Sequence, residues 1–389
     1  MPSHSDFLKR RSRASLSTDA LYAAHGETAF GDPDWAAAEA RFLVVRLSPF
    51  RDVERSTPHE FLYREARAAM PGAYIDFCFF PTKRDRAVLD AAGVPWMHGV
   101  ASGRGALDFD VLLVSNSYTL ELVNLAPFLE SSGVPASRRA RESASSAAAS
   151  GTRFPLIALG GSNAMASAAQ YDEASGDAIV DAVFFGEGEG AVRELAPGLA
   201  AAAREEGAAR IAALEALAGR VRGFWPTASR MPVEQAKAPA DAYPSCAPPV
   251  LAGAEAGTSR LEITRGCPSF CSFCFEGWER KPFRERPLAS IVAEARRLKA
   301  ATGVDTVELA SYNFNAHGEV VAVIEALHRI FWGVGFQSQR VDILARSPSL
   351  IRFEAAAGKR SFTVGVEGLS SRMRAYYSKG LDEADLRSV

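Results

Sequence analysis

The sequence predicts an α/β protein in two parts, an N-terminal doubly wound parallel sheet and then a partial (β/α) unit of the barrel kind. Three observations predict it. Short apolar runs alternate with helical patterns through the first two hundred residues. The strand–helix–strand order resumes after Arg260, and a stretch rich in proline and small residues, Pro226–Gly257, separates the two. At 389 residues the chain is also too long for one ordinary core.

Phe42–Leu47 reads as a strand from its apolar and β-branched content, and His59–Met70 carries a helical pattern. Tyr74–Phe80 is the second strand; Arg84–Ala92 is the next helix, ended by Gly93 and Pro95. Val111–Ser115 reads as a buried strand, followed by helical periodicity over Leu120–Leu129. Leu156–Leu159 runs into Gly160-Gly161, with Ser162 placed to cap a following helix. Ile179–Phe185 leads into Gly186-Glu187-Gly188-Glu189 and a long alanine-rich helix. Strands separated by helices imply parallel pairing with both faces covered. The low-complexity stretch Ser137–Ser150 reads as a mobile loop without chemistry.

In the second part, Leu261–Thr264, Thr306–Ala310, Val334–Gln337 and Phe362–Val366 read as strands, with helices at Leu288–Ala301 and Val320–Phe331. A short strand is also expected at Val250-Leu251. The divisions are an irregular or disordered start (1–40), a Rossmann-type domain (41–222), a linker (223–258) and the second domain (259–389).

A formal charge of −2 offers no field for steering nucleic acid. No apolar run approaches the ~20 residues needed to span a bilayer. The start, Met1–Ser17, is polar and lacks the apolar stretch of a secretory signal; an Arg- and Ser-rich transit peptide is the alternative to a solvated segment. A cytoplasmic location is the expectation. Five cysteines do not make a disulfide framework in so long a chain, and Cys78 sits in a strand-like apolar run as a core thiol.

Cys267, Cys271 and Cys274 crowd into Arg265-Gly266-Cys267-Pro268-Ser269-Phe270-Cys271-Ser272-Phe273-Cys274. Thiolates suit zinc and iron–sulfur clusters. Structural zinc takes four ligands, and the next candidates, Cys246 and His317, lie far off in sequence. Three closely spaced thiolates can hold three irons of a cubane and leave the fourth open to a ligand. A zinc-holding structural protein stays as the alternative.

A C-x-x-x-C-x-aromatic-C loop directly after a strand resembles the radical S-adenosylmethionine (SAM) superfamily. The resemblance implies a 4Fe–4S cluster on these cysteines, SAM chelating its open iron, and reductive cleavage to a 5′-deoxyadenosyl radical. It places Phe273 beside adenine. Glu276-Gly277, Pro282-Phe283-Arg284-Glu285-Arg286 and Val366-Glu367-Gly368-Leu369-Ser370-Ser371-Arg372-Met373-Arg374 resemble the subgroup with a cobalamin-binding-type domain ahead of the radical core. There a glutamate contacts the cofactor, a role carried to Glu367, with Arg374 as a carboxylate partner or else a solvated helix residue. The Gly-Gly-Glu that many members carry after the second strand is replaced by Ala310-Ser311-Tyr312-Asn313-Phe314-Asn315. Ser311 or Asn313 is the candidate for the amine contact, against the plainer reading of a turn.

In doubly wound sheets ligands sit at the carboxyl ends of the strands. The candidates for a cobalamin cradle are Ser115-Asn116-Ser117, Gly160-Gly161-Ser162 and Gly186-Glu187-Gly188. The cobalt-ligating Asp-x-His-x-x-Gly motif is absent from the loop Ser48–Arg55, and His59 reads as a helix-start or surface residue. A radical core of this family needs about six strand–helix units, and about four are counted from Leu261, so the core reads as incomplete. The expectation is a radical SAM enzyme, with methyl transfer if cobalamin binds, acting on a substrate of unread identity with an external one-electron donor such as flavodoxin or ferredoxin. The alternative is a non-catalytic cobalamin- or cluster-binding module.

Overall fold

The computed structural model describes residues 16, 32–54, 56–147, 153–229, 231–242, 251, 258–336 and 339–389. Most of the expected N-terminal segment, Val250 and Cys246 lie outside the described residues. The chain forms two compact units, one of residues 1–238 with 249–254 and one of 239–248 with 255–389.

The N-terminal unit is built on β1 (Arg41–Arg46), β2 (Tyr74–Phe79), β3 (Val111–Ser115), β4 (Leu156–Gly160), β5 (Ala182–Phe184) and β6 (Phe224–Pro226). They stand in the order β2-β1-β3-β4-β5-β6; the first five are parallel and β6 closes the edge antiparallel to β5. β1 is central, with Phe42 opposite Ile75 on one side and Val111 on the other. Every residue from Phe42 to Arg46 is buried. Because side chains alternate across a strand, Phe42 and Val44 join one core while Leu43 and Val45 join a second. The first core packs against α1 (Pro58–Ala69), α5 (Ala191–Ala203) and α6 (Gly207–Ala218); the second takes Phe128 and Leu129 of α3 (Leu125–Glu130). Two covered faces explain why these strands read as continuous apolar runs. α2 (Lys83–Ala92) starts on Thr82, whose hydroxyl accepts from the Asp85 N–H, and ends at Gly93 in the left-handed region.

Three expectations change here. Arg138–Ala147, expected as a mobile loop, is a helix, α4. Its arginines are anchored by tertiary contacts that local composition does not reveal: Arg141 pairs with Asp181 at 3.3 Å, both buried, and also donates to the Pro135 and Ala136 carbonyls. Ser162 caps no α-helix; the chain after Gly161 makes a 3₁₀ turn over Ala164–Gln170, and the Ser162 hydroxyl donates to the Ser117 carbonyl. Leu120–Leu129 is split into a 3₁₀ turn, Thr119–Asn124, and α3. Residues 32–40 carry a short 3₁₀ turn, Trp35–Ala37, with the Trp35 ring edge-on to Tyr74 and Phe109.

The C-terminal unit centres on three parallel strands, β7 (Thr258–Leu261), β8 (Thr306–Leu309) and β9 (Gly333–Phe336), with β8 in the middle. One face is covered by α8 (Leu288–Thr302) and α9 (Val320–His328) through Ile291, Leu298, Ile324 and Leu327 packed on Leu261 and Val307. The other face carries Arg260 and Glu308, paired at 3.3 Å and partly exposed. The strand expected over Phe362–Val366 is reduced to one bridge, Val364 beside Gln339. β-propensity reflects packing against cross-strand neighbours, and among the described residues the isolated bridge to Gln339 is the pairing this segment makes.

No helix among the described residues is long and apolar enough to cross a membrane.

Candidate functional site

β7 opens directly into the cysteine loop. Gly266 makes the turn at φ +72, where an added Cβ would meet the Arg280 carbonyl oxygen at 2.1 Å, so only glycine fits. The loop is tied down along its length. Lys281 donates its ammonium to the Cys267 carbonyl and to that of Ser269 at 2.7 Å, and lies over the Phe270 ring. Arg340 reaches the Ser269 hydroxyl, and the Trp278 indole N–H donates to the Cys271 carbonyl at 2.9 Å. The Ser272 N–H donates to the Tyr377 carbonyl at 3.1 Å, and the half-exposed Phe273 ring meets the Tyr377 ring edge-on at 5.4 Å.

Two of the three sulfurs accept hydrogen bonds. Cys267 Sγ, on a buried residue, receives the Asn313 amide at 3.1 Å; Cys274 Sγ receives the Gly277 N–H at 3.3 Å and caps the short helix α7 (Phe275–Glu279). N–H donors stabilise charge on sulfur, as thiolate ligands require. Among the described residues no three His, Cys, Asp or Glu side chains gather around one point as a single-ion cage. A cubane distributes three thiolates over three different irons, so its ligands need not converge on a point. The donor set of soft sulfurs with N–H partners fits such a cluster.

The other sequence-derived residues of this unit have different fates. Ser311 accepts the N–H groups of Ile263 (3.2 Å) and Thr264 (3.0 Å), locking the end of β8 to the start of the loop. Glu367 sits at φ +64 and pairs with Lys379 at 3.4 Å. Arg374 is neither solvated nor on a helix surface. It is buried, and its guanidinium donates to the carbonyls of Gly368, Leu369 and Leu381 at 3.1, 2.8 and 2.9 Å, knitting the last segment together. Missed in the sequence were Lys281, Arg340 and the contact of Tyr312 with Glu276; burial and the adjacent Glu276 push the Tyr312 phenol up, against the Arg280 charge. Only the crowding of basic residues after the cysteines hints at them.

In the N-terminal unit the β1 and β3 ends form the switch point of a 2-1-3-4-5 sheet, the place where such folds take ligands. One residue that the sequence left unremarked, Glu121, ties them together. Its carboxylate accepts the Ser48 hydroxyl at 2.6 Å and the N–H groups of Ser117 and Tyr118 at 2.9 and 3.3 Å, and lies 3.8 Å from Arg46. The signal was there: a glutamate three residues after Tyr118 is one half of a capping box. Arg46 is fully buried, desolvation lowers its pKa, and it donates to the Ser115 hydroxyl at 3.3 Å. His59 starts α1 as expected but is buried, not on the surface. It lies edge-on to Phe77 and Phe79, and burial, with Arg46 and Arg64 nearby, lowers its pKa to about 3.

The strand-end candidates divide in two. Gly186 and Glu187 hold the chain's own segment: Glu187 donates its N–H to the Ala236 carbonyl at 3.1 Å, and its carboxylate accepts the Ala238 N–H at 2.7 Å. Gly188 packs under the Phe61 ring. Asn116 and Ser117 differ, because Asn116 Oδ1 and Ser117 Oγ are buried without a hydrogen-bond partner. Gly161, at φ +122, lets its backbone lie against the Asn116 carbonyl, and Gly160 packs beside Phe184. Unsatisfied buried acceptors at a strand-end switch point fit a ligand rich in amides, which is the chemistry of a cobalamin edge. Cys78 is fully buried, and burial pushes its thiol pKa up.

A parallel βα unit whose first strand opens into a three-cysteine loop, preceded by a doubly wound sheet, defines the radical SAM class of architecture. The comparisons agree: residues 261–386 match the Radical SAM superfamily and residues 59–226 match Radical SAM proteins, N-terminal. The chain therefore carries radical SAM superfamily domains. Ribosomal protein uS12 methylthiotransferase RimO of Pelobacter propionicus is 39% identical over 70 residues, 18% of this chain and 15% of that protein. tRNA-2-methylthio-N(6)-dimethylallyladenosine synthase of Halorhodospira halophila is 35% identical over 86 residues, covering 20% and 18%. Both matches therefore span less than a fifth of the relative's length. The fold is similar to that of the radical S-adenosylmethionine methyltransferase TsrM from Kitasatospora setae, solved with cobalamin and a [4Fe-4S] cluster bound. The TM-score is 0.51 at 15% identity, over 90% of this chain and 65% of that one.

Proposed function

We propose that this chain is a radical SAM enzyme in which Cys267, Cys271 and Cys274 hold a 4Fe–4S cluster, with cobalamin at the β1/β3 end of the N-terminal sheet. The observation that carries the reading is the loop at the end of β7, where two of three cysteine sulfurs already accept N–H donors. When bound, the cluster supplies the single electron that splits the sulfonium of SAM, and cobalamin would supply a methyl group for an unactivated carbon.

The chain's own residues prepare that chemistry. Lys281 holds the loop backbone and Arg340 the Ser269 hydroxyl, so the cysteines are ordered before any ligand arrives. Phe273, half exposed, offers a ring face to adenine. The Glu367 carboxylate, more than a third exposed, remains able to exchange Lys379 for a ribose or amine group. In the other unit, Asn116 and Ser117 would accept amide hydrogens, with Gly161 allowing close approach. The electron would come from an external donor of the flavodoxin or ferredoxin kind, and a cytoplasmic location belongs to the same proposal.

Anaerobic reconstitution with iron and sulfide tests the reading. The expected result is about four irons per chain, 5′-deoxyadenosine on reduction with SAM, and loss of both in Cys267→Ala, Cys271→Ala or Cys274→Ala. A loaded cluster that leaves SAM intact would instead mark a binding module, and tetrahedral zinc in its place would end the cluster assignment. Cobalamin titration tests the second half: no binding at high micromolar concentration removes methyl transfer.

A further inference from the structure

The loop after β8 carries an asparagine where its side chain meets a cysteine sulfur. We propose that Asn313 is a positioning residue that tunes the cluster's reduction potential through its hydrogen bond to Cys267, rather than one that contacts the amine of SAM. This rests on the cluster assignment proposed above.

The geometry is specific. Asn313 Nδ2 lies 3.1 Å from Cys267 Sγ, and Cys267 is 9% exposed. The asparagine is held between two anchors. Two residues earlier, Ser311 accepts the Ile263 and Thr264 N–H groups. Two residues later, the buried Asn315 exchanges hydrogen bonds with the Arg340 backbone, giving its amide to the carbonyl and accepting the N–H, both at 3.1 Å. The Ala316 N–H closes a 3₁₀ turn back onto the Asn313 carbonyl at 3.1 Å. Its backbone is thus fixed, and the amide is aimed at the sulfur without further ordering cost.

An N–H donor draws charge from a ligating sulfur and stabilises the reduced, more negative cluster, which raises the potential. The effect is larger at a buried sulfur, where water does not screen it. The donor to Cys274 is a backbone N–H that substitution leaves in place. Asn313 is a side-chain donor, so it can be removed alone.

The test uses full-length protein with reconstituted cluster, titrated with a low-potential reductant while the reduced cluster is counted by electron paramagnetic resonance. Asn313→Leu is close to isosteric and has no donor; Asn313→Asp keeps the size and replaces the donor by an acceptor. Each is expected to raise the oxidised-to-reduced ratio at a fixed potential by about fivefold to tenfold, tenfold being ~59 mV for one electron. The iron–thiolate stretch in the resonance Raman spectrum should rise as the sulfur loses its donor. Unchanged potential and stretch at full iron loading overturn the proposal. So does failure of both variants to load iron while the fold is intact, because a tuning contact leaves assembly untouched. If the unsubstituted protein itself takes up no cluster, the functional reading falls and carries this inference with it, an outcome distinct from the other two.

Discussion

Replacing Gly161 with alanine is expected to destabilise the N-terminal unit locally and to close the proposed cobalamin cradle. Gly161 has φ +122, a conformation that L-residues reach at a cost of about 1–3 kcal/mol. The new Cβ would also stand 2.2 Å from the Asn116 carbonyl oxygen, which is backbone and cannot swing aside. Relieving that contact moves the oxygen that accepts the Asn163 N–H at 3.3 Å, and leaving a buried backbone group unpaired costs about 1–3 kcal/mol more. Together the loss is about 2–6 kcal/mol. Hydrogen exchange of the β3 and β4 amides reads it directly, and cobalamin titration of the same variant should show binding lost while iron loading stays complete. A protection change below about 0.5 kcal/mol, within the range of a neutral surface substitution, would refute the reasoning.

His59 and His98 are both buried with pKa values lowered to about 3, burial being the leading cause in each. The unfolded chain takes up protons near pH 6.5 that the folded form refuses, so stability is complete above that pH and is lost as pH falls towards 3. At pH 5 the loss is about 2 kcal/mol per histidine; urea midpoints at pH 5 and 7 should show it, and His59→Leu should remove about half. Arg141→Met strands the buried Asp181 carboxylate, with an expected cost of about 3–5 kcal/mol, part of it recovered by adding Asp181→Asn; melting temperatures of the two variants decide it. Arg374→Ala frees three carbonyls at about 1 kcal/mol each, so amides of 368–389 should exchange faster while those of the N-terminal sheet do not change.

Strand positions in the N-terminal sheet were legible because both faces are buried, which leaves uninterrupted apolar runs such as Phe42–Val45. The cysteine loop was legible because three thiols within eight residues have few chemical explanations. Arg374 misled because an arginine in a helix usually points to water, whereas here the carbonyls of Gly368 and Leu369 before the helix and of Leu381 after it surround the guanidinium. Ser137–Ser150 misled for the same reason: its composition suits a loop, while Asp181, 40 residues after Arg141, anchors the helix.

The amino-acid order alone determined the α/β class, the five parallel strands and the three sulfurs, since those depend on apolar periodicity and on neighbours a few residues apart. Tertiary structure decided which polar groups meet: Glu121 with Ser48, and Asn313 with Cys267, separated by 73 and 46 residues. Hydrogen bonds act over about 3 Å in space, so which groups they join depends on how strands pack and not on spacing along the chain.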